Sequence, residues 1–386
     1  MTNLLSQGGF GCVYYPGLKC DNAKNIKSDK KYVTKLQRKN FTSMNESNIG
    51  QIIKEIKNYD YFFLPVISQC PINLTSYVKK YEEQLKECDV IKNTNKQYML
   101  MKIPYIKSKP VIDAIFNDSY SKKNIFVSML ELYITSLNAI DILIEKNIVH
   151  FDLKSDNILY DTTTNQGKFI DFGLSIPINN INKDNQHEYF YIYAPEYFIW
   201  PLEVHVINFF IHEYKDDIVD MKYVNYISNE IAKEYTENNK SLLLFSEEFR
   251  NKYTQLCKAQ IRKYIVKDKQ TIIDNLISFN KTWDNYSLSI LFLRILHQFF
   301  PNGFVSNNFY ICFSQLLLYN IHPNPEKRLD IYNTINSYND FFFANVNIQT
   351  YIETYNDINI NLKEAAGYLK IENKMLNLSI NKELSS

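Results

Sequence analysis

The sequence predicts an α+β protein, with a small β-rich lobe over about residues 1–103 and a larger α-helical lobe after it. Three observations carry that reading. Short runs of β-branched and aromatic residues, bounded by turn formers, crowd the first hundred positions. Apolar residues at helical spacing appear near position 45 and again from about 125. Beyond about 197 the pattern is helical throughout.

The elements follow in order. Thr2–Leu5 is a short apolar start that leads into Ser6-Gln7-Gly8-Gly9-Phe10-Gly11-Cys12-Val13, which reads as a glycine-tipped hairpin. Lys31–Leu36 is the next strand. Ile49, Ile52, Ile53 and Ile56 then line one face of an amphipathic helix over residues 45–56. Leu64–Ile67 and Tyr98–Ile103 are apolar enough for strands, and a charged stretch around 79–97 between them reads as surface loop or helix. A helix over about 125–147 comes next. Ile148–Val149 and Ile158–Tyr160 are strand-like pieces flanking a polar loop, and Lys168–Ile170 is a third.

Composition excludes several classes. With 45% hydrophobic and 15% aromatic residues, the chain of 386 residues buries a large core and is neither disordered nor collagen-like. Forty-three basic side chains against 42 acidic ones leave a formal charge of +1, which fits neither a nucleic-acid coat nor a polybasic membrane patch. No apolar run reaches the ~18 residues of a membrane span, and the stretch Ser287–His297 holds Arg294, as a buried helix does. No secretory leader is expected, because the glycine cluster begins at residue 8. The six cysteines show no metal spacing and read as free thiols in a reducing cytosol.

Three groups carry chemistry. Without Cβ atoms, Gly8, Gly9 and Gly11 let backbone N–H groups approach a polyphosphate, although a tight hairpin would use glycine in the same way. In His150-Phe151-Asp152-Leu153-Lys154-Ser155-Asp156-Asn157, one loop holds a carboxylate, a lysine and a carboxamide: a base, a phosphate clamp and a metal ligand. Asp171-Phe172-Gly173 places a carboxylate after a strand, where it can meet a cation. A polar turn with a helix cap is the plain alternative for both loops.

Taken together and in this order, these motifs resemble the protein kinase superfamily. The resemblance covers roughly residues 4–338. It includes Ala194-Pro195-Glu196, Asp284-Asn285-Tyr286-Ser287-Leu288 as the start of a buried central helix, and Asn324-Pro325-Glu326-Lys327-Arg328. It implies a bilobal fold: residues 1–103 as N-lobe, 104–340 as C-lobe with a long helical insertion at about 200–280, and 341–386 as a tail. It implies Asp152 as catalytic base, Lys154 offsetting charge on the γ-phosphate, and Asn157 and Asp171 as ligands of Mg2+. Gly8, Gly9, Phe10, Gly11 and Val13 would cover the phosphates of ATP, with Ser6 at the first glycine position. Lys35 would hold the α- and β-phosphates and pair with a helix glutamate, Glu46 in preference to Glu55. Met101 would be the gatekeeper, and the Lys102 carbonyl would meet the adenine amino group, because Pro104 has no N–H to offer. Glu196 and Arg328 would form the buried pair that anchors the activation segment.

The departures are also informative. Phe151 replaces the arginine that reads a phosphate on the activation loop, so activity is expected without that phosphorylation. Tyr189 stands where a threonine usually braces the base. Eighty-eight positions separate Glu196 from Asp284, and the 200–280 insertion is a candidate docking surface. Lysine two places after the base is the Ser/Thr pattern. The implied activity is ATP-dependent phosphorylation of protein Ser/Thr hydroxyls, with a pseudokinase scaffold or a small-molecule phosphotransferase as alternatives. No nucleic-acid or membrane partner is expected. Divergence and AT-rich residue usage look most like kinases of giant DNA viruses, in the host cytoplasm or the virion.

Overall fold

The computed structural model describes residues 2–8, 11–20, 30–92, 96–117, 120–264, 268–301, 308–343, 352–353, 356, 358 and 361–381. The chain divides into two compact units: residues 1–109, 159–175 and 381–386, and residues 110–158 with 176–380.

The first unit is built on a five-stranded antiparallel sheet. Its strands are β1 (Asn3–Gln7), β2 (Cys12–Tyr15), β3 (Tyr32–Arg38), β4 (Ser68–Ile72) and β5 (Tyr98–Pro104), in the order β1-β2-β3-β5-β4. The β1–β2 hairpin forms where the glycines predict it, with a shift of register between Leu4 and Ser6. Gly11 has a packing reason of its own: a Cβ there would lie 2.6 Å from the Leu36 carbonyl oxygen of β3. Helix α1 (Phe41–Lys54) starts earlier than its isoleucine stripe suggests, because Asn40 and Ser43 form a reciprocal cap. Its Gly50 allows the backbone of Val66 to approach, where a Cβ would sit 2.3 Å from the Val66 oxygen.

Two expectations are corrected here. Leu64–Ile67 is extended but joins no ladder, and the strand is the next segment, Ser68–Ile72. The apolar run is packed beneath α1, whereas the half-exposed edge strand carries Pro71 and little apolar signal. Nor are the cysteines all free: Cys12 is bonded to Cys88 and Cys20 to Cys70, leaving Cys257 and Cys312 as thiols. The bonded partners are 76 and 50 residues apart, so no local spacing announces them. Cys12 and Cys88 belong to the core cluster of this unit with Tyr14, Leu36, Tyr77 and Leu100. A small sheet of β6 (Ser108–Pro110), β8 (Ile158–Asp161) and β9 (Gln166–Phe169) carries the segment that ends in Asp171.

The described residues of the second unit are mostly helical, and β7 (Ile148–Val149) and β10 (Ile176–Pro177) pair antiparallel. Helix α2 (Lys122–Glu145) is long and apolar enough to cross a membrane by length and composition, contrary to the sequence reading. Scattered Ser, Thr, Asn and acidic residues had broken up the run. It is packed as a core helix: Tyr133 makes edge contacts with Phe292 at 4.8 Å and Phe313 at 5.1 Å.

The insertion folds as α3 (Leu202–His212), α4 (Met221–Asn238), α5 (Glu247–Ile261) and α6 (Lys269–Ile277). After it come the buried central helix α7 (Trp283–Phe299), α8 (Asn308–Asn320), α9 (Ile331–Phe343) and the tail helix α10 (Leu362–Ile380).

Candidate active site

In the first unit, β3 offers Lys35 and α1 offers Glu46. Their salt bridge is 2.8 Å long, and the same ammonium lies 2.9 Å from Asp171 Oδ1. Glu46 is therefore the partner of Lys35, while Glu55 merely caps the end of α1 and is exposed. Burial works against the charge on Lys35, but Asp171 and Glu46 outweigh it and hold the ammonium above its ordinary range. Burial pushes the Glu46 carboxyl up to about 7, with Lys35 opposing and Asp171 adding to the rise. Asp171 itself has φ 60°, a left-handed backbone that costs a non-glycine residue energy. Asn45 of α1 supports this turn by donating to the carbonyls of Gly173 and Ser175.

Val13, Lys35 and Met101 are cross-strand partners on β2, β3 and β5, so they share one face of the sheet. The Lys102 carbonyl, expected to face adenine, accepts from the Ile67 N–H at 2.9 Å. A bond to an adenine amine there needs the second lone pair of that oxygen. The strand runs on to Pro104, and the following N–H, that of Tyr105, donates to the Lys31 carbonyl just outside the sheet. Gly8 has open space where a Cβ would be; Gly9 and Phe10 lie outside the described residues.

In the second unit the loop after β7 collects Asp152, Lys154 and Asn157, all buried. Both oxygens of Asp152 lie 2.8 Å from Lys154 Nζ, and Asn157 Nδ2 donates to Oδ2 at 2.8 Å. Asn157 also donates to the Asp152 carbonyl, so its amide oxygen is the atom left for a cation. The loop hangs on Asp284 of α7, whose carboxylate accepts from the backbone N–H groups of His150 and Phe151 at 2.6 and 2.9 Å. Burial raises the Asp284 carboxyl, and these donors counter it.

The sequence missed Tyr197 and Glu203. Tyr197 donates its hydroxyl to Asp152 Oδ1 and accepts from Lys154, the contacts that the sequence reading sought at position 189. Burial and the neighbouring Asp152 push the Tyr197 phenol well above its ordinary range. Arg328 pairs with Glu203, not Glu196: Nη2–Oε2 is 2.8 Å, and the two side chains are 0% and 1% exposed. Trp283 Nε1 donates to the same glutamate. The motif Ala194-Pro195-Glu196 is thus a decoy, with Glu196 half-buried, and the anchoring glutamate stands seven residues further on in Trp200-Pro201-Leu202-Glu203. A second proline followed by an acid was the available signal. Phe151, with φ 67°, stacks on Trp200 at 4.9 Å and meets Phe190 and Trp283 edge-on or tilted. Trp200 Nε1 donates to the Phe151 carbonyl at 2.7 Å.

Magnesium suits these donors. The amide oxygen of Asn157 in the second unit and the 31%-exposed carboxylate of Asp171 in the first are each hard oxygen donors of the kind Mg2+ takes. Among the described residues no group of three or more His, Cys, Asp or Glu side chains forms an all-protein metal cluster.

Known proteins resemble this part of the chain in sequence. A family model described as the protein kinase domain matches residues 2–199. The probable serine/threonine-protein kinase mkcE of Dictyostelium discoideum is 28% identical over 179 residues, covering 46% of this chain and 21% of that protein. A second probable serine/threonine-protein kinase of Dictyostelium discoideum is 30% identical over 179 residues, covering 42% of this chain and 26% of its own length. The chain spans about a fifth to a quarter of the length of these relatives. The matched family uses ATP and Mg2+ and acts on protein. With the motif residues from Gly8 to Asp171 inside the matched span, which exceeds half of the 386 residues, this chain belongs to the protein kinase family.

Proposed function

We propose that the chain is a catalytically competent kinase that transfers the γ-phosphate of ATP to Ser/Thr hydroxyls of protein substrates. The observation that carries this is Asp152 held between Lys154 and Asn157. In the reaction Asp152 orients the acceptor hydroxyl and takes its proton, while Lys154 offsets charge on the phosphoryl oxygens. Lys35, fixed by Glu46, holds the inner phosphates. Mg2+ held by Asn157 and Asp171 would neutralise charge on the phosphates. Catalysis then rests on positioning and on preorganised charge.

The scaffold reading has less support, since Lys35, Glu46, Asp152, Asn157 and Asp171 are all present and the Lys35–Glu46 pair is made. The buried Glu203–Arg328 anchor of the activation segment favours a protein over a small alcohol as acceptor. Labelled-ATP transfer to generic proteins, to the chain itself and to small alcohols, beside Asp152→Asn and Asp171→Asn, separates the readings. Transfer to protein serine and threonine that vanishes in both variants is the expected result. Nucleotide binding without transfer would overturn it.

Kinship with giant-virus kinases belongs to the same proposal, on residue usage alone. Of the two locations, the virion suits the two disulfides better than the cytoplasm, because such bonds persist in oxidising settings. Docking of a partner on the insertion helices α3–α6 is also proposed, tested by whether a chain lacking residues 215–280 still phosphorylates a generic protein.

A further inference from the structure

The catalytic loop has a second support that none of the kinase motifs contains. Ser155 and Asp156 lie between Lys154 and Asn157, and the tail helix α10 binds both. Asn373 Nδ2 donates to Ser155 Oγ at 2.5 Å and to Asp156 Oδ1 at 2.8 Å. One turn further, Asn377 Nδ2 donates to Asp156 Oδ2 at 3.0 Å. The other end of the Asn373 amide accepts from Arg294 Nη2 at 3.0 Å, and Arg294 makes a 2.8 Å salt bridge with Glu372. Asn373 is 1% exposed and Arg294 2%. A buried guanidinium on the central helix therefore has its counter-charge on the tail.

We propose that α10 is a built-in positioning element of the catalytic loop, with Asn373 as its key residue. The loop is held by its backbone on Asp284 and by the Ser155 and Asp156 side chains on the Asn373 amide, which is itself oriented by Arg294. The turn Ser155–Asn157 fixes where Asn157 sits, and Asn157 donates to the base Asp152. The tail acts through that chain of bonds and touches no substrate. A tail that only covers apolar surface would need Leu369, Leu376 and Ile380, which are buried on the same helix, and would not need a buried amide aimed at the loop. The inference rests on the kinase reading above.

The test uses the full chain. Asn373→Asp sets a carboxylate against Asp156 and is expected to lower kcat about tenfold or more, with KM for ATP within about twofold. Asp156→Asn combined with Asn373→Asp exchanges donor and acceptor, and is expected to recover most of that loss. Leu376→Ala is the packing control, expected to lower Tm while keeping kcat at low temperature. Hydrogen exchange of the amides over residues 153–158 is followed in all of them, expected faster in Asn373→Asp and restored in the double variant. Loss without recovery in the double variant, or equal kcat loss in Leu376→Ala, would overturn the proposal. If the unmodified chain transfers no phosphate, the kinase reading fails, and the exchange data still decide whether the tail holds the loop.

Discussion

At the scale of single residues, the Lys35–Glu46–Asp171 triangle sets a pH dependence. Burial raises the Glu46 carboxyl from 4.5 to about 7, so the folded chain favours its protonated form more than the unfolded chain does. The stability this contributes is fully present below about 4.5 and is lost as pH rises through about 7. The ion pair with Lys35 runs the other way, since it needs the carboxylate. We expect kcat/KM to climb with pH through about 7. Glu46→Gln should remove that limb and lower activity roughly ten- to hundredfold, the worth of a charged hydrogen bond. An unchanged pH profile in Glu46→Gln would show that another group titrates. The two acids Glu196 and Glu203 give a second residue-scale prediction. Glu203→Ala leaves Arg328 buried without its partner and should cost about 3–5 kcal/mol in a denaturant titration. Glu196→Ala, at a half-buried site outside that pair, should cost well under 1 kcal/mol. A reversed order of the two losses would restore the motif match that the geometry rejects.

At the scale of elements, the activation segment is anchored by rings where an arginine and a phosphate would otherwise meet. Phe151, Trp200, Phe190 and Trp283 interlock, each ring pair contributing about 0.5–1.5 kcal/mol beyond its buried area. This cluster needs no modification to form. Enzyme treated with phosphatase is therefore expected to keep its activity, whereas Phe151→Ala should lose about 3–5 kcal/mol of stability and most activity at elevated temperature. Recovery of a dead, dephosphorylated enzyme by phosphorylation between residues 174 and 193 would sink this account. The hairpin, β3, β5, α1 and α2 were legible because each carries its own period or turn chemistry. The Leu64–Ile67 strand was misread because a buried extended segment and a central strand are equally apolar, and only pairing tells them apart.

At the scale of the whole molecule, four of the six cysteines are paired in the first unit. Thiol titration of unreduced, denatured chain should find two reactive groups, Cys257 and Cys312, and six after reduction. Closing loops of 76 and 50 residues constrains the unfolded chain, so reduction should lower the stability of that unit by about 2–4 kcal/mol per bond. Six reactive thiols before reduction would refute the pairing.

What the sequence by itself determined is the family and its motifs: the Asp152 loop, the aspartate turn, the strand lysine and the glycine hairpin are short patterns whose spacing is set by backbone reach. The tertiary structure alone decided the partners of those motifs. Glu203 over Glu196, Tyr197 over Tyr189, the two disulfides and the grip of α10 on Ser155 and Asp156 all join residues tens to hundreds of positions apart. Such pairings are chosen by which buried groups meet a complementary partner once the elements have packed, and no local pattern encodes that outcome.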